Sequence, residues 1–273
     1  MLKIMSKIKV VVTGASGRMG KEIIKKVLSD KNLKLIGAIE NNNHPTIGKD
    51  VGLIIKKKKV GLRITDSILE SFAMADAVID FTTPKATVEH AKYAAQARLA
   101  HVIGTTGFNK NQLLKIKYAA QHATIIKSGN MSLGVNLIEA LTKIASSKLD
   151  ESFFINVNET HHKHKVDAPS GTALMLGNAA ALGKKKNFDK LKKITSINKR
   201  GKETKNKIVF SSFRKGEVIG DHEITFMSQN ETIKISHKAM NRGIFVDGAI
   251  QAVKWGHNQE PGLYSMSDVL GLN

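Results

Sequence analysis

The stretch Ile8-Lys9-Val10-Val11-Val12-Thr13-Gly14-Ala15-Ser16-Gly17-Arg18-Met19-Gly20 decides the fold. Its apolar, β-branched half predicts a strand, and its glycine-rich half predicts a tight turn. Residues 21–28 then carry helical periodicity, and residues 33–40 read as a second strand. The opening of the chain is therefore a strand–helix–strand unit with the short connections of a parallel sheet. Further strand-like runs at residues 77–81, 100–104 and 124–127 are separated by helical patterns at 84–98 and 109–122. Such alternation predicts a doubly wound parallel α/β sheet, because crossover helices must cover both of its faces.

After residue 131 the rhythm changes. A helix over 135–147 leads into a strand over 153–159 that alternates as in a sheet with one covered face, and residues 207–213, 221–226 and 232–237 look like successive strands. That grouping predicts a smaller α+β domain with a mixed or antiparallel sheet. Residues 183–205 are lysine-rich and poorly periodic, which reads as a surface excursion. Residues 243–255 read as a helix that returns to the first domain, giving expected domains of 1–130 with 241–273, and 131–240.

With 273 residues, 41% of them hydrophobic, the chain can bury a core large enough for two modest domains. No apolar run is long enough to span a membrane, and Met1 to Lys7 lead into the first strand without a signal-peptide core, so a soluble cytoplasmic protein with no membrane partner is expected. The absence of cysteine excludes disulfides, thiolate metal sites and a cysteine nucleophile. The net charge of +20 would ordinarily suggest nucleic acid. The excess is mostly lysine scattered beside many Asn and Ile residues, as codon bias in an AT-rich genome produces. The denser runs Lys56-Lys57-Lys58-Lys59 and Lys184-Lys185-Lys186 lack the interleaved aromatics of a stacking platform, so solvated loops and no nucleic-acid partner are expected.

The turn Gly14-Ala15-Ser16-Gly17-Arg18-Met19 lies between a strand and a helix, the context in which backbone amides and a helix N-terminus bind a pyrophosphate. Its spacing is G-x-x-G-x-x-G, with Ala15 where the commonest fingerprint has its first glycine, so an ordinary strand-to-helix turn is the competing reading. Glu40 tips the balance, because a carboxylate about twenty residues on, at the end of the second strand, binds the adenosine ribose hydroxyls. NADH, NADPH or both are the expected cofactors. The neutral Asn41, where a basic side chain would hold the extra phosphate of NADPH, favours NADH, although Arg18 is close enough in sequence to allow dual use.

The densest constellation is Glu159-Thr160-His161-His162-Lys163-His164-Lys165-Val166-Asp167-Ala168-Pro169-Ser170-Gly171-Thr172, running from a strand end to a helix start. Ser170 can cap that helix and leave the amides after it available to a carboxylate. Histidine exchanges protons near neutrality, and lysine neutralises a carboxylate or donates a proton when desolvated. These properties suit reduction of an anionic imine. A solvated basic loop and a histidine metal site are the alternatives. The metal reading is disfavoured because adjacent histidines on an extended segment point to opposite faces and the lysines repel a cation.

That block resembles the signature of the dihydrodipicolinate reductase family, E-[AT]-H-H-x-x-K-x-D-A-P-S-G-T. The resemblance extends in order through Asp80-Phe81-Thr82, Gly104-Thr105-Thr106-Gly107-Phe108, Ser128-Gly129-Asn130-Met131-Ser132, Gly216 to His222 and His237-Lys238-Ala239. It implies a Rossmann-like cofactor domain, an α+β domain for substrate and tetramer contacts, and hinge closure. It also implies hydride transfer from the nicotinamide to a cyclic dicarboxylate, 4-hydroxy-tetrahydrodipicolinate, with loss of water. On this resemblance His161 and Lys165 match the proton-donor positions, and His162, Gly171 and Thr172 match substrate-binding positions. Gly104, Thr105 and Thr106 with Ser128, Gly129, Asn130 and Met131 match loops that hold the nicotinamide side of the cofactor. Read alone, these loops are equally turns after buried strands, and Met131 departs from the family, where an aromatic is common. A cofactor sensor that does no chemistry and an RNA-binding protein are the rival classes; the intact His-Lys block speaks against the first, and the second has no need of the glycine loop or Glu40.

Overall fold

The computed structural model describes residues 6–272; residues 1–5, on which the reading of the N-terminus partly rests, and residue 273 lie outside the described residues. β1 (Ile8–Thr13) buries Val10, Val11, Val12 and Thr13, the continuous run of a strand covered on both faces. α1 (Arg18–Ser29) opens directly behind Gly17, three residues earlier than the periodicity marks, and buries Ile23, Ile24 and Val27. β2 (Leu33–Ile39) stops one residue short, so that Glu40 follows the strand. Two short helices, α2 (Val51–Ile54) and α3 (Ile68–Ala73), precede β3 (Ala77–Asp80), α4 (Pro84–Ala97), β4 (Ala100–Ile103), α5 (Lys110–Ala119) and β5 (Thr124–Lys127). Sequence chemistry sets these boundaries: α4 begins with Pro84 behind the Thr83 cap and ends at Arg98, whose φ of 54° is left-handed, and α5 starts with an Asn109–Gln112 capping box.

The next stretch holds α6 (Leu133–Lys148), β6 (Phe154–His161), α7 (Gly171–Gly183), α8 (Phe188–Leu191), β7 (Lys192–Ile194), β8 (Ile208–Arg214), β9 (Asp221–Met227) and β10 (Thr232–Lys238). α9 (Gly243–Gly256), β11 (Gly262–Tyr264) and α10 (Met266–Val269) follow. The chain forms two compact units, one running to Met131 and resuming over Phe245–Gly271, the other spanning Ser132–Ile244.

The first unit has a six-stranded sheet in the order β11-β5-β4-β3-β1-β2, parallel at every pairing. Val11, Val78, Ile103 and Ile125 pack with Phe72, Ala91, Ala94 and Ile116 as one core. Each of the valine, isoleucine and phenylalanine side chains contributes about 1.5–3 kcal/mol on burial. The strand order reverses beside β1, which places a crevice at the carboxyl ends of β1 and β3. α9 packs in this unit through Gly248, where a Cβ would lie 1.6 Å from the Met131 carbonyl oxygen.

The second unit has a mixed sheet, β10-β9-β6-β8-β7, in which β6, β8 and β7 run parallel and β9 is antiparallel to β6 and β10. Ile155, Val157, Leu176, Phe210, Ile224 and Phe226 form its core beneath α6 and α7. The surface excursion expected over residues 183–205 carries two short elements that the sequence reading did not mark, α8 and the edge strand β7. Elements of four and three residues are too short to carry a periodic signal, and the lysines that hide β7 are what a sheet edge carries to discourage further pairing. No helix among the described residues is long and apolar enough to cross a membrane.

Candidate active site

At the switch point of the parallel sheet a cavity of about 760 Å³ is lined by Gly14, Ser16, Gly17, Glu40, Asn41, Phe81, Thr82, Asp66, Glu89 and His90, among others. Gly14 turns with a φ of 64°, and a Cβ on Gly20 would lie 2.1 Å from the Gly14 carbonyl oxygen. The turn therefore packs tightly on the start of α1, where amides and the helix dipole favour a pyrophosphate. The Ser16 amide donates to Oε1 of Glu40 at 2.7 Å, aiming the carboxylate across the loop. Ser16 Oγ meets Thr46 Oγ1 at 2.6 Å, and His44 Nδ1 meets the same hydroxyl at 2.7 Å. These residues fit a dinucleotide: a thin glycine cradle, an anchored carboxylate and open volume beside them.

Of the sequence candidates, Gly14, Ser16, Gly17 and Glu40 line this cavity. Ala15 is buried below it, Arg18 is exposed, and Met19 is half-buried in the first turn of α1. Gly104, Thr105 and Thr106 follow β4, and Ser128, Gly129, Asn130 and Met131 follow β5; strand register puts both loops at the same sheet edge, yet neither lines the cavity. Met131 is 2% exposed and serves as packing. Thr105 is buried too, and its hydroxyl accepts from the Thr82 amide at 3.0 Å.

Sequence reading assigned no role to Asp80, His90 or His101, which form a buried cluster at the end of β3. Asp80 Oδ2 meets His90 Nδ1 at 2.8 Å and His101 Nε2 at 3.3 Å, while Oδ1 accepts from Thr82 Oγ1 at 2.6 Å and Thr105 Oγ1 at 3.4 Å. Burial alone would raise the Asp80 carboxyl; hydrogen bonds from His101 and His90, and their charge, more than offset it and hold the group well below the usual carboxylate range. One carboxylate thus ties together the loops after β3 and β4.

In the second unit, alternation along β6 places Glu159 and His161 on one buried face. Oε2 of Glu159 lies against Nδ1 of His161, and Oε1 accepts from Arg214 Nη1 and Nη2 at 3.2 Å each and from the Ser170 amide at 3.3 Å. Burial would raise the Glu159 carboxyl, but polar contacts from His161 and Ser212, with the charges of His161 and Arg214, bring it down to about 2. Arg214 also donates to the carbonyls of Lys165 at 3.1 Å and Asp167 at 2.6 Å. The Lys165 ammonium pairs with Asp167 Oδ1 at 2.7 Å. Ser170 caps α7 by accepting from the Ala173 amide at 3.2 Å, and its hydroxyl meets His222 Nε2 at 2.9 Å. Gly171 and Thr172 form the first positions of α7, and a Cβ on Gly171 would meet nothing within 4 Å. His162 is half-buried beside His164, their rings 6.3 Å apart.

The candidates His161, His162, Lys165, Gly171 and Thr172 therefore fall on one strand end, one loop and one helix start. Glu159 belongs to the sequence block but carried no assigned role, and Arg214 and His222 were missed as site residues. The metal alternative changes its members as well. Among the described residues, the cluster whose ligand atoms lie within 4.8 Å of one another is Glu159, His161 and His222, not the three histidines of the run. Arg214 on the same carboxylate is a positive charge that any bound cation would face.

A parallel sheet with a glycine turn and a carboxylate at its switch point, followed by an α+β unit bearing a buried imidazole and an ammonium group, defines a nicotinamide-dependent oxidoreductase. The chain belongs to the dihydrodipicolinate reductase family: the family's N-terminal model matches residues 8–131 and its C-terminal model residues 134–270. It is 48% identical over 263 residues to the 4-hydroxy-tetrahydrodipicolinate reductase of Ruegeria pomeroyi, covering 96% of this chain and 98% of that one. It is 50% identical over 268 residues to the reductase of the same name from Brucella abortus, covering 96% and 98%. Among solved structures, a dipicolinate-bound dihydrodipicolinate reductase from Paenisporosarcina sp. TG-14 superposes with a TM-score of 0.76 at 24% identity, covering 95% of this chain and 97% of that one, a likeness of fold.

Proposed function

We propose that the protein reduces 4-hydroxy-tetrahydrodipicolinate to tetrahydrodipicolinate with loss of water, on the diaminopimelate route to lysine. The observation that carries this reading is the β6–α7 junction, where a capped helix start suited to a carboxylate adjoins two proton-bearing side chains, His161 and Lys165. Relatives of that name at 48% and 50% identity support it.

In this reading residues 1–130 and 241–273 bind the cofactor, with Gly14, Ala15, Ser16, Gly17, Arg18 and Met19 around the pyrophosphate and Glu40 on the adenosine ribose. The loops Gly104-Thr105-Thr106 and Ser128-Gly129-Asn130-Met131 hold the nicotinamide side. When bound, the reduced nicotinamide supplies a hydride to the ring carbon that loses its hydroxyl. Residues 131–240 bind the substrate: His162, Gly171 and Thr172 hold its carboxylates, and His161 and Lys165 provide the proton with which the hydroxyl leaves as water. NADH is the preferred cofactor, because Glu40, Asp66 and Glu89 line the crevice and neither Lys nor Arg is among the lining residues.

The reading extends to a cytoplasmic homotetramer. The face of the mixed sheet opposite its core presents half-buried Asn156, Asn158, Thr160 and Glu223, a polar surface suited to pairing with another copy. Sedimentation equilibrium tests this, and a monomer at micromolar concentration would refute it. The activity is tested by the loss of reduced-nicotinamide absorbance with NADH, then NADPH, and freshly generated substrate. Oxidation that requires both protein and substrate supports the proposal; tight cofactor binding without oxidation would point to another substrate or a sensor.

A further inference from the structure

Glu159 lies two residues before His161 on β6, on the same buried side of the strand, and is 1% exposed. Its two oxygens act differently. Oε1 is held from behind by both terminal nitrogens of Arg214 and by the Ser170 amide, so the carboxylate cannot swing away; Oε2 lies against His161 Nδ1. An ionised carboxylate only accepts hydrogen bonds, so the imidazole nitrogen that faces it must carry hydrogen. The carboxyl, brought down to about 2, is ionised throughout the working range.

We propose that Glu159 is the positioning residue of the reaction: it fixes the His161 ring in the tautomer with hydrogen on Nδ1 and leaves Nε2 as the nitrogen that exchanges protons with substrate. This rests on the reading of His161 as a proton donor. Three neighbours support the assignment. The His222 ring stands edge-on to His161 at 5.0 Å between centroids and is itself held by Ser170 Oγ, which limits rotation of the His161 ring. Gly220 lies beside Nε2, where a Cβ would come within 3.0 Å, so the absence of a side chain keeps that nitrogen uncrowded. Arg214, fixed on Glu159, also holds the backbone of Lys165 and Asp167, so one carboxylate indexes both candidate proton donors. The groups facing the imidazole are thus Glu159, His222 and, through the carboxylate, Arg214 and Ser212.

Nitrogen-15 spectra of the imidazoles test the proposal in the unmodified protein, with the His161 signals assigned by their loss in His161→Asn. The expected result is hydrogen held on Nδ1 of His161, with Nε2 the nitrogen that gains and loses a proton; a ring whose hydrogen sits on Nε2 alone overturns the proposal. Glu159→Gln, which strips Arg214 of its charged partner, should mix the tautomers and lower kcat by about a hundredfold or more while leaving the NADH Kd unchanged. An unchanged kcat and tautomer in folded Glu159→Gln also overturns it. Full turnover in His161→Asn, with the wild-type ring still protonated on Nδ1, sinks the donor assignment while upholding the hold of Glu159 on the ring.

Discussion

Oε1 of Glu40 accepts the amide hydrogen of Ser16 at 2.7 Å, so the carboxylate that follows β2 is anchored to the glycine turn that follows β1. Its other oxygen accepts from the Asn41 amide at 3.3 Å. A carboxylate so fixed is preorganised for neighbouring ribose hydroxyls. Hydrogen bonds to charged groups contribute about 1.5–3 kcal/mol, so Glu40→Ala should raise the NADH Kd by about ten- to a hundredfold in a fluorescence titration. An unchanged Kd would take Glu40 out of the cofactor site. Asn41→Arg should shift preference toward NADPH by supplying a charge for the extra phosphate.

His161 and Lys165 stand in distinct environments, the imidazole buried against a charged carboxylate and the ammonium half-buried against Asp167. Removing a positioned acid costs about 10²–10⁴ in rate. His161→Asn should therefore lower kcat at least a hundredfold while the NADH Kd holds steady, because the residues proposed to bind the cofactor lie in the first unit. Turnover within about threefold of wild type would remove His161 from the chemistry.

The first unit was largely legible because its signals are local. The glycine turn, the Pro84 start of α4 and the Asn109 cap of α5 each lie in the residues they govern. The second site was legible only where it is continuous, from Glu159 to Thr172. Arg214 and His222 reach it through sheet pairing: β6–β8 register sets His161 opposite Arg214, and β6–β9 register sets Glu159 opposite His222. Register between distant strands leaves no mark at either residue alone. The Asp80 cluster was invisible for the same reason, since His101 joins it from the next strand and His90 from the intervening helix. Met131 illustrates the converse, a residue singled out with its loop by local sequence whose side chain is buried in the core.

Burial pushes His222 down to about 3 from its ordinary 6.5, and the positive charge of His161 adds to the effect. Below pH 6.5 the unfolded chain takes up a proton that the folded chain refuses until about pH 3, so this contribution to stability is full above 6.5 and is lost as the pH falls. Glu159, brought from 4.5 to about 2, adds a loss in the same direction over a lower window. Between pH 6.5 and 4.5 the His222 effect acts without that of Glu159, at about 1.4 kcal/mol per pH unit. Urea unfolding of His222→Gln should show that much less slope in this window. An identical slope would mean that His222 takes up its proton in the folded protein at ordinary pH.

Gly248 on α9 lies against the Met131 carbonyl oxygen, and a Cβ at Gly248 would come within 1.6 Å of it. The obstacle is backbone, which cannot turn aside as the end of a long side chain can, so Gly248→Ala must push the helix off the loop that follows β5. Overpacking costs about 1–3 kcal/mol, and a clash with backbone belongs at the upper end. For a chain of this size each kcal/mol lowers Tm by about 2–4 °C, so calorimetry should find Gly248→Ala melting about 5–12 °C below wild type. Gly171→Ala provides the contrast, because a Cβ there meets nothing within 4 Å at the first position of α7. Reduced freedom in the unfolded chain should make it neutral or more stable by up to about 1 kcal/mol. The same chemical change should thus act with opposite signs at two helices; a Gly248→Ala protein as stable as wild type would show that α9 does not pack closely on Met131.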